Sequence, residues 1–459
     1  MDWFPTLIDR KGPVYLRIAD ALAADVEAGR LARGQQLPTH RALAKALGID
    51  LTTVTRAYAE ARARGLIEAR VGQGTFVAES LSQPRRTADA PRPDLDLSMN
   101  LPPQPLEADL EGRLTRGIDA IRREVGFSAL LSYRDAAGSR AERDVAAAWL
   151  RPRLPDAQGD RLVICPGTQN ALFNLLIALT SPGDVVLTEA LTYPGIKAAA
   201  GHAGIRLAGV AMDEQGIVPD ALDEACRRLS PKAAYLLPTI HNPTTATMPP
   251  ARRQQVAEIL RRHDVLLFED DAYGALEPHA APLATLIPER TYYAASLSKC
   301  MAPGLRLSFL LTPDRGAAGR ITAALRASAQ MPTPLMVALA ARWLRDGSAE
   351  AIISAIRTEA AARQRLAAGA LAAHAYRAHP NGHHIWIPLS GNWTGAEFAA
   401  HVQRQGLAIV TAEAFSIDAA PPHAVRLSLG AASSRSELAA ALDIVATALQ
   451  SPAVRTRIV

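Results

Sequence analysis

The amino-acid sequence predicts a multidomain chain: a small winged helix-turn-helix, then a large α/β domain with a mostly parallel sheet and a smaller α+β part. Three observations predict it. Residues 1–78 carry amphipathic helical stretches followed by two short β-like runs. From about Asp96 onward, short apolar runs alternate with Ala/Leu-rich helical stretches, the pattern of strands covered by helices. Between them, residues 79–95 are polar, proline-rich and aperiodic, as a linker is. At 459 residues the chain exceeds one ordinary core.

In the first module, Ile18, Leu22 and Val26 recur every fourth residue between Pro13 and Gly29, predicting a helix. Thr39 opens a second, with Leu43, Ala44 and Leu47 on one face and Gly48 ending it. Asp50 or Thr52 caps a third, which runs through Val54 and Tyr58 toward Gly65. Residues 66–71 and 75–77 predict two strands joined by a turn at 72–74. In this layout the third helix enters a DNA major groove and the hairpin is the wing. Arg41 and Arg56 are candidates for phosphate or base contacts, with Thr39, His40, Thr52 and Thr53 near the same face. Residues 1–78 hold 11 Lys/Arg against 8 Asp/Glu, a mild basic bias that permits nucleic-acid binding without establishing it.

In residues 96–459 the predicted strands are 162–165, 185–188, 234–237, 265–268, 291–295 and 307–311. Polar motifs follow them directly, and in open α/β sheets ligands bind at the carboxyl ends of strands. The large part spans about 130–330. The smaller part takes 96–129 and 331–459, with strand-like pieces at 385–389 and 425–429. No apolar run reaches the roughly 18–20 residues of a membrane span, and no signal peptide opens the chain, so a cytoplasmic protein is expected. Cys165, Cys226 and Cys300 lack metal or disulfide spacing. His383-His384 has no third ligand at helical spacing, so no metal is expected and the pair is structural or superficial.

The chemistry centres on Lys299, in the run Ser296-Leu297-Ser298-Lys299-Cys300-Met301-Ala302-Pro303-Gly304-Leu305-Arg306. A lysine among small residues after an apolar strand is desolvated and nucleophilic, as Schiff-base formation with pyridoxal 5′-phosphate (PLP) requires. Ser296, Ser298 and Arg306 suit its phosphate, as does the Gly167-Thr168-Gln169 turn at a helix N-terminus. Asp270, at the end of a buried strand, suits the pyridine nitrogen, and Tyr273 and Asn242 the ring oxygen. Tyr193, before Pro194, suits stacking on the ring. Arg426 interrupts a β-like run, and its guanidinium is a natural clamp for a ligand carboxylate.

These motifs carry two resemblances. Residues 13–77 resemble the winged helix-turn-helix of GntR-type regulators, through Gly34-Gln35-Gln36-Leu37-Pro38-Thr39-His40-Arg41, Thr53-Val54, Ala57-Tyr58 and Gly72-Gln73-Gly74-Thr75-Phe76-Val77. Residues from about 96 resemble fold-type I aminotransferases of class I/II, through Tyr133…Gly138, Gly167-Thr168-Gln169, Tyr193, Asn242-Pro243, Asp270…Tyr273, Ser296…Lys299…Arg306 and Arg426. The combination resembles the MocR-type subgroup of GntR regulators over nearly the whole chain.

The resemblance implies a seven-stranded, mostly parallel sheet and PLP as cofactor. Lys299 would carry the internal aldimine and Asp270 would face the pyridine nitrogen. Asn242 and Tyr273 would face the phenolic oxygen, and Tyr193 would stack on the ring. Thr168, Gln169, Ser296 and Arg306 would hold the phosphate, and Tyr133 would reach the phosphate of a neighbouring subunit. Arg426, with Asn242, would hold a ligand. It further implies a head-to-tail homodimer, an operator on double-stranded DNA, and an amino acid or amine effector sensed as an external aldimine. Active transamination is the alternative, since no cofactor residue is missing. Three positions depart from the usual patterns: Leu51 for an arginine, Glu142 for a leucine with an effect on packing expected, and Ser308 for a glycine.

Overall fold

The computed structural model describes residues 3–5, 13–32, 34–63, 66–70, 74–77, 95–391, 393–417 and 420–451. It divides into two compact units, residues 1–92 and 93–459. Most of the expected linker, Val71 of the expected strand 66–71 and residues 72–73 of the wing turn lie outside the described residues.

The first unit has helices α1 (Val14–Glu27), α2 (His40–Leu47) and α3 (Leu51–Ala63), then strands β1 (Ile67–Arg70) and β2 (Gly74–Val77) paired antiparallel. Ile18, Leu22, Leu43, Val54 and Tyr58 close one small core, which is why the apolar spacing foretold the helices. Thr39 caps α2, its hydroxyl accepting from Ala42 N at 3.2 Å, and Gly48 ends the helix at φ +65°. The Asp50 carboxylate accepts from Thr52 N at the start of α3.

In the second unit, β3 (Leu95–Asp96) precedes β4 (Leu162–Cys165), β5 (Val185–Glu189) and β6 (Arg206–Val210). A small hairpin, β7 (Met212–Asp213) with β8 (Gly216–Ile217), leads on to β9 (Ala233–Leu236), β10 (Leu266–Asp271), β11 (Thr291–Ser296) and β12 (Ser308–Leu311). The seven-stranded sheet has the order β4-β12-β11-β10-β9-β5-β6. Among its strands β12 alone runs against its neighbours. Alternate residues enter different cores. Val163 and Cys165 pack toward helices Thr168–Leu179 and Arg315–Ala329, whereas Leu162 and Ile164 pack toward Arg140–Leu150 and Pro334–Arg345. Both faces are covered, so the strands are continuous apolar runs. β6 escaped the sequence because Arg206-Leu207-Ala208-Gly209-Val210 is a half-exposed edge strand with no such run.

A second sheet follows, with β13 (Arg377–Ala378), β14 (His384–Pro388), β15 (Leu407–Ala408), β16 (Val410–Thr411) and β17 (Ala424–Ser428) in chain order. Its order is β13-β14-β17-β16, and β15 pairs separately with β3. Residues 95–97 therefore join this C-terminal part. Ile121, Val337, Leu339 and Ile352 do not: they share a core with Leu162 and Phe309. The part boundaries expected near 130 and 330 thus do not follow the packing, because uniformly Ala-rich helices give no compositional break. Glu142 also differs from expectation. It completes a capping box with Ser139, accepting from Ser139 N at 2.7 Å, so its role is helix initiation and not packing.

Candidate functional site

The carboxyl ends of β4, β5, β9, β10 and β11 converge, and each delivers one of the expected side chains. After β4 the chain turns at Gly167 (φ +81°) into helix Thr168–Leu179. A Cβ at Gly167 would lie 2.8 Å from Arg306 Nη2, so only glycine lets the guanidinium close over the turn. Thr168 donates its hydroxyl to Ser308 Oγ at 3.3 Å, and Ser308 donates to the Ala295 carbonyl at 3.0 Å. Gln169 Nε2 bonds the Gly195 carbonyl at 2.8 Å. Free amides at a helix N-terminus beside an arginine form an anion cradle. Ser296 and Ser298 are buried, with Ser298 N donating to Ser296 Oγ.

A Gly167→Ala chain combines a left-handed alanine with that clash. It is expected to lose about 1–2 kcal/mol of stability and to bind PLP at least about tenfold more weakly. Fluorescence titration of the purified variant checks both the binding and, by melting, the stability.

Lys299 lies in the turn after β11, and its Nζ donates to the Asn100 carbonyl. Burial, then the positive charges of Arg426 and Arg306 against Asp270, lowers its pKa to about 8. Asp270 is buried at the end of β10. Its Oδ2 accepts from Tyr235 Oη at 2.8 Å, while its Oδ1 has no hydrogen-bond partner among the described residues. Burial pushes this carboxyl up to about 6. An unpaired, buried carboxylate oxygen needs a cationic donor, which a protonated pyridine nitrogen provides. Tyr193, half-buried, is the residue before helix Pro194–Ala203. Asn242 precedes Pro243 across a cis peptide bond.

Arg426 projects from β17, buried. Its Nη1 donates to Asn242 Oδ1 at 2.8 Å, its Nη2 to the Ser98 carbonyl, and its guanidinium lies 4.9 Å from the Phe415 ring centroid. Its Nε has no partner among the described residues. Burial lowers its pKa to about 10, so it remains cationic at neutral pH. Tyr133 does not join this constellation within the chain: it is 82% exposed.

The sequence did not flag several residues that build the site. Ser98 and Asn100 supply the carbonyls that receive Arg426 and Lys299. Tyr235 holds Asp270, and its signal was a hydroxyl within the small apolar run Ala233-Ala234-Tyr235-Leu236. His383 and His384 are buried, not superficial, and His383 Nε2 donates to the Lys299 carbonyl at 2.7 Å.

In the first unit, Arg41, Thr52 and Arg56 are exposed and Thr53 is half-exposed. The Arg56 guanidinium lies 4.5 Å from the Tyr15 ring centroid. Thr39 is engaged as the α2 cap. His40 is 3.3 Å from Thr55 Oγ1 and packs edge-on against Tyr58. Thr39 thus closes the start of α2, and His40 links α2 to α3. Leu51, at the head of α3, is 41% exposed.

Comparison with known proteins agrees with both units. Residues 93–445 match the family model for aminotransferases of class I and II, and residues 14–77 that for bacterial regulatory proteins of the gntR family. The uncharacterized HTH-type transcriptional regulator YdeF of Bacillus subtilis is 30% identical, the match covering 97% of this chain and 96% of that protein. The vitamin B6 salvage pathway transcriptional repressor PtsJ of Salmonella typhimurium is 28% identical over 91% and 94%. The probable rhizopine catabolism regulatory protein MocR of Rhizobium meliloti is 23% identical over 86% and 83%. Among solved structures, the α-aminoadipate aminotransferase LysN of Thermus thermophilus superposes with a TM-score of 0.71 at 24% identity. That match covers 78% of this chain and 92% of LysN. The anion cradle, the unpaired Asp270 oxygen and the low-pKa lysine fit PLP, the cofactor of class I and II aminotransferases. A gntR-family module joined to this domain in one chain, with regulators matching along nearly its full length, places residues 93–445 in the aminotransferase class I and II family and the protein in the MocR-type subgroup of GntR transcriptional regulators.

Proposed function

We propose that this chain binds operator DNA through residues 1–78 and uses the pocket around Lys299 to sense PLP, or an amino acid or amine presented to PLP. The observation that carries the proposal is Arg426. A buried guanidinium with an unpaired Nε shares the Lys299 pocket, in a chain that begins with a helix-turn-helix. When bound, PLP supplies an aldehyde that forms a Schiff base with amines, and a ring that withdraws electrons from the attached carbon. Lys299 supplies the amine that holds it. Asp270 keeps the pyridine nitrogen charged, Asn242 and Tyr273 face the ring oxygen, and Tyr193 covers the ring. Gly167, Thr168, Gln169, Ser296, Ser298 and Arg306 hold the phosphate. Arg426 selects a ligand with a carboxylate or sulfonate. The name of the relative PtsJ supports PLP itself as one signal. Switching requires that the signal favour one of two states differing in DNA affinity.

The protein would act in the cytoplasm as a head-to-tail homodimer, in which Tyr133 reaches the partner's phosphate site. The exposure of Leu106, Val125, Phe127, Leu131 and Tyr133 supports an apolar contact of this kind. A second reading, active transamination, is favoured by the presence of Lys299, Asp270 and Arg426 in one pocket. One experiment separates the two: absorbance of the PLP-loaded protein against amino acids and amines, with keto acid assayed in parallel. A spectral change without keto acid supports sensing. Stoichiometric keto acid supports turnover, and no response to any compound leaves only PLP as signal.

DNA binding has its own expected outcome. With six phosphate contacts or more, affinity for an operator of repeated half-sites falls about 10³-fold between 50 and 200 mM salt. Arg56→Ala weakens binding about tenfold, with Arg41 and Thr52 contributing from the same exposed face. Gel-shift titration at several salt concentrations measures both. Unchanged affinity in Arg56→Ala would remove α3 from the proposed interface.

A further inference from the structure

Asn100 lies outside every sequence motif of the site, yet it is buried between Tyr273 and Lys299. The backbone holds it tightly. Leu97 N donates to the Ala408 carbonyl, Ser428 N to the Leu97 carbonyl, and Leu101 N to Ser428 Oγ at 3.3 Å. Gly430 has no room for a side chain, since a Cβ there would lie 2.0 Å from the Leu101 carbonyl oxygen. Asn100 is thus fixed in place from both sides of its own segment.

Its side chain makes two bonds with one nitrogen. Asn100 Nδ2 is 2.5 Å from Tyr273 Oη and 3.1 Å from His384 Nδ1. The direction of these bonds follows from a third. His384 Nε2 lies 3.1 Å from the His241 carbonyl, which can only accept, so Nε2 carries the proton. Burial drives the His384 pKa well below 6.5, so the ring is neutral and Nδ1 is a bare acceptor. The Asn100 group facing it must therefore be the amide NH₂; the flipped amide would set oxygen against a lone pair. The second amide hydrogen points at Tyr273 Oη. Tyr273 accepts there, and its own hydroxyl proton is free to go elsewhere. Burial also raises the Tyr273 pKa, keeping that proton on the oxygen.

We propose that Asn100 is a positioning residue for the cofactor: by donating to Tyr273, it commits the Tyr273 hydroxyl to donate toward the ring oxygen of PLP. The proposal rests on the reading of this pocket as a PLP site. A hydroxyl that accepts one bond is also a stronger donor in the next. Asn100 thereby joins the buried His384–His241 pair to the electronics of the ring. The consequence is spectroscopic. A bond donated to the phenolic oxygen draws charge from it and loosens its hold on the proton shared with the lysine nitrogen. Losing that bond raises the pH midpoint at which the lysine-bound cofactor changes colour.

The test is a pH titration of the visible absorbance of the full-length, PLP-loaded protein and its variants. Asp270, Tyr193 and Arg426 face Tyr273, and Arg306 also acts on Lys299; all four are the same in every variant. Asn100→Ala is expected to raise the midpoint by about half a unit to one unit, the size of one net hydrogen bond. Tyr273→Phe should move it in the same direction at least as far. The double variant should move no further than Tyr273→Phe alone. Asn100→Asp, nearly isosteric, should shift it too, because a carboxylate takes the Tyr273 proton for itself; it stands in if the alanine variant does not fold. An unchanged midpoint in both Asn100 variants, or full additivity in the double variant, overturns the proposal. A wild-type protein with no lysine-bound absorbance at all overturns instead the reading of the pocket on which it depends.

Discussion

Lys299→Ala is expected to abolish covalent capture of PLP completely, with the visible absorbance of the lysine-bound cofactor absent at every pH. The reason lies in the surroundings of the amine. Burial and two arginines bring its pKa to about 8. At pH 7 such a lysine holds roughly three hundredfold more neutral amine than an unperturbed one. Only the neutral form attacks an aldehyde. For the wild-type chain the rate of capture should therefore rise about tenfold per pH unit below 8 and flatten above it. Stopped-flow absorbance measures this profile. The same shift has a stability consequence of definite sign. The folded-state pKa is below the unfolded value, so the unfolded chain binds more protons between about 8 and 10.4. The Lys299 contribution to the stability of the cofactor-free protein thus rises with pH across that window, and the difference between wild type and Lys299→Ala isolates it. A visible band that survives in Lys299→Ala would take the lysine out of its assigned role. A capture rate that keeps rising past pH 8 toward 10 would show that the amine is not desolvated.

The legibility of the chain followed its physics. The strands of the large sheet were readable because both faces are buried, which forces unbroken runs such as Leu162–Cys165. β6 was not, because an edge strand needs no such run. The residues on strand ends were readable wherever their type is costly in a core: Asp270, Lys299 and Arg426 are ionisable groups in apolar context. Asn100 and Ser98 were not, because their contribution to Lys299 and Arg426 is made by main-chain carbonyls, which every residue has. Tyr235 and the histidine pair were hidden for a related reason. A tyrosine in a strand and two adjacent histidines are ordinary core residues until a partner distant in sequence is known. In the first unit the helices were plain from the spacing of Ile18, Leu22 and Val26. The division of labour among Thr39, His40 and Arg56 was not, because capping and packing use the same residue types as contact with DNA.

A second large effect is expected one residue beyond Asp270. Asp271 ends β10 with its side chain fully buried. Its Oδ2 takes Arg153 Nη2 at 2.6 Å and the Tyr293 hydroxyl at 2.6 Å, and Arg153 Nη1 goes on to the Glu277 carbonyl at 2.8 Å. Arg153 is itself only 10% exposed. Asp271→Ala leaves a guanidinium and a phenol buried without their acceptor, and an uncompensated buried charge costs roughly 3–5 kcal/mol. Asp271→Asn keeps the shape and one acceptor, so it should lose less, about 1.5–3 kcal/mol. If the uncompensated charge dominates, removing it should recover stability. The double variant Arg153→Met/Asp271→Ala is therefore expected to be more stable than Asp271→Ala alone, despite carrying one more change. Urea unfolding of the cofactor-free chain, followed by tryptophan fluorescence, decides this. Four of the five tryptophans, Trp149, Trp343, Trp386 and Trp393, belong to the second unit, so the signal follows the right transition. A double variant no better than Asp271→Ala would mean that the lost packing, and not the stranded charge, sets the cost. The position matters beyond stability because Asp270 precedes this clamp on the same strand end. Loosening it should weaken PLP binding even though neither Asp271 nor Arg153 faces the cofactor pocket. The loss in binding should shrink in the double variant in step with the recovered stability.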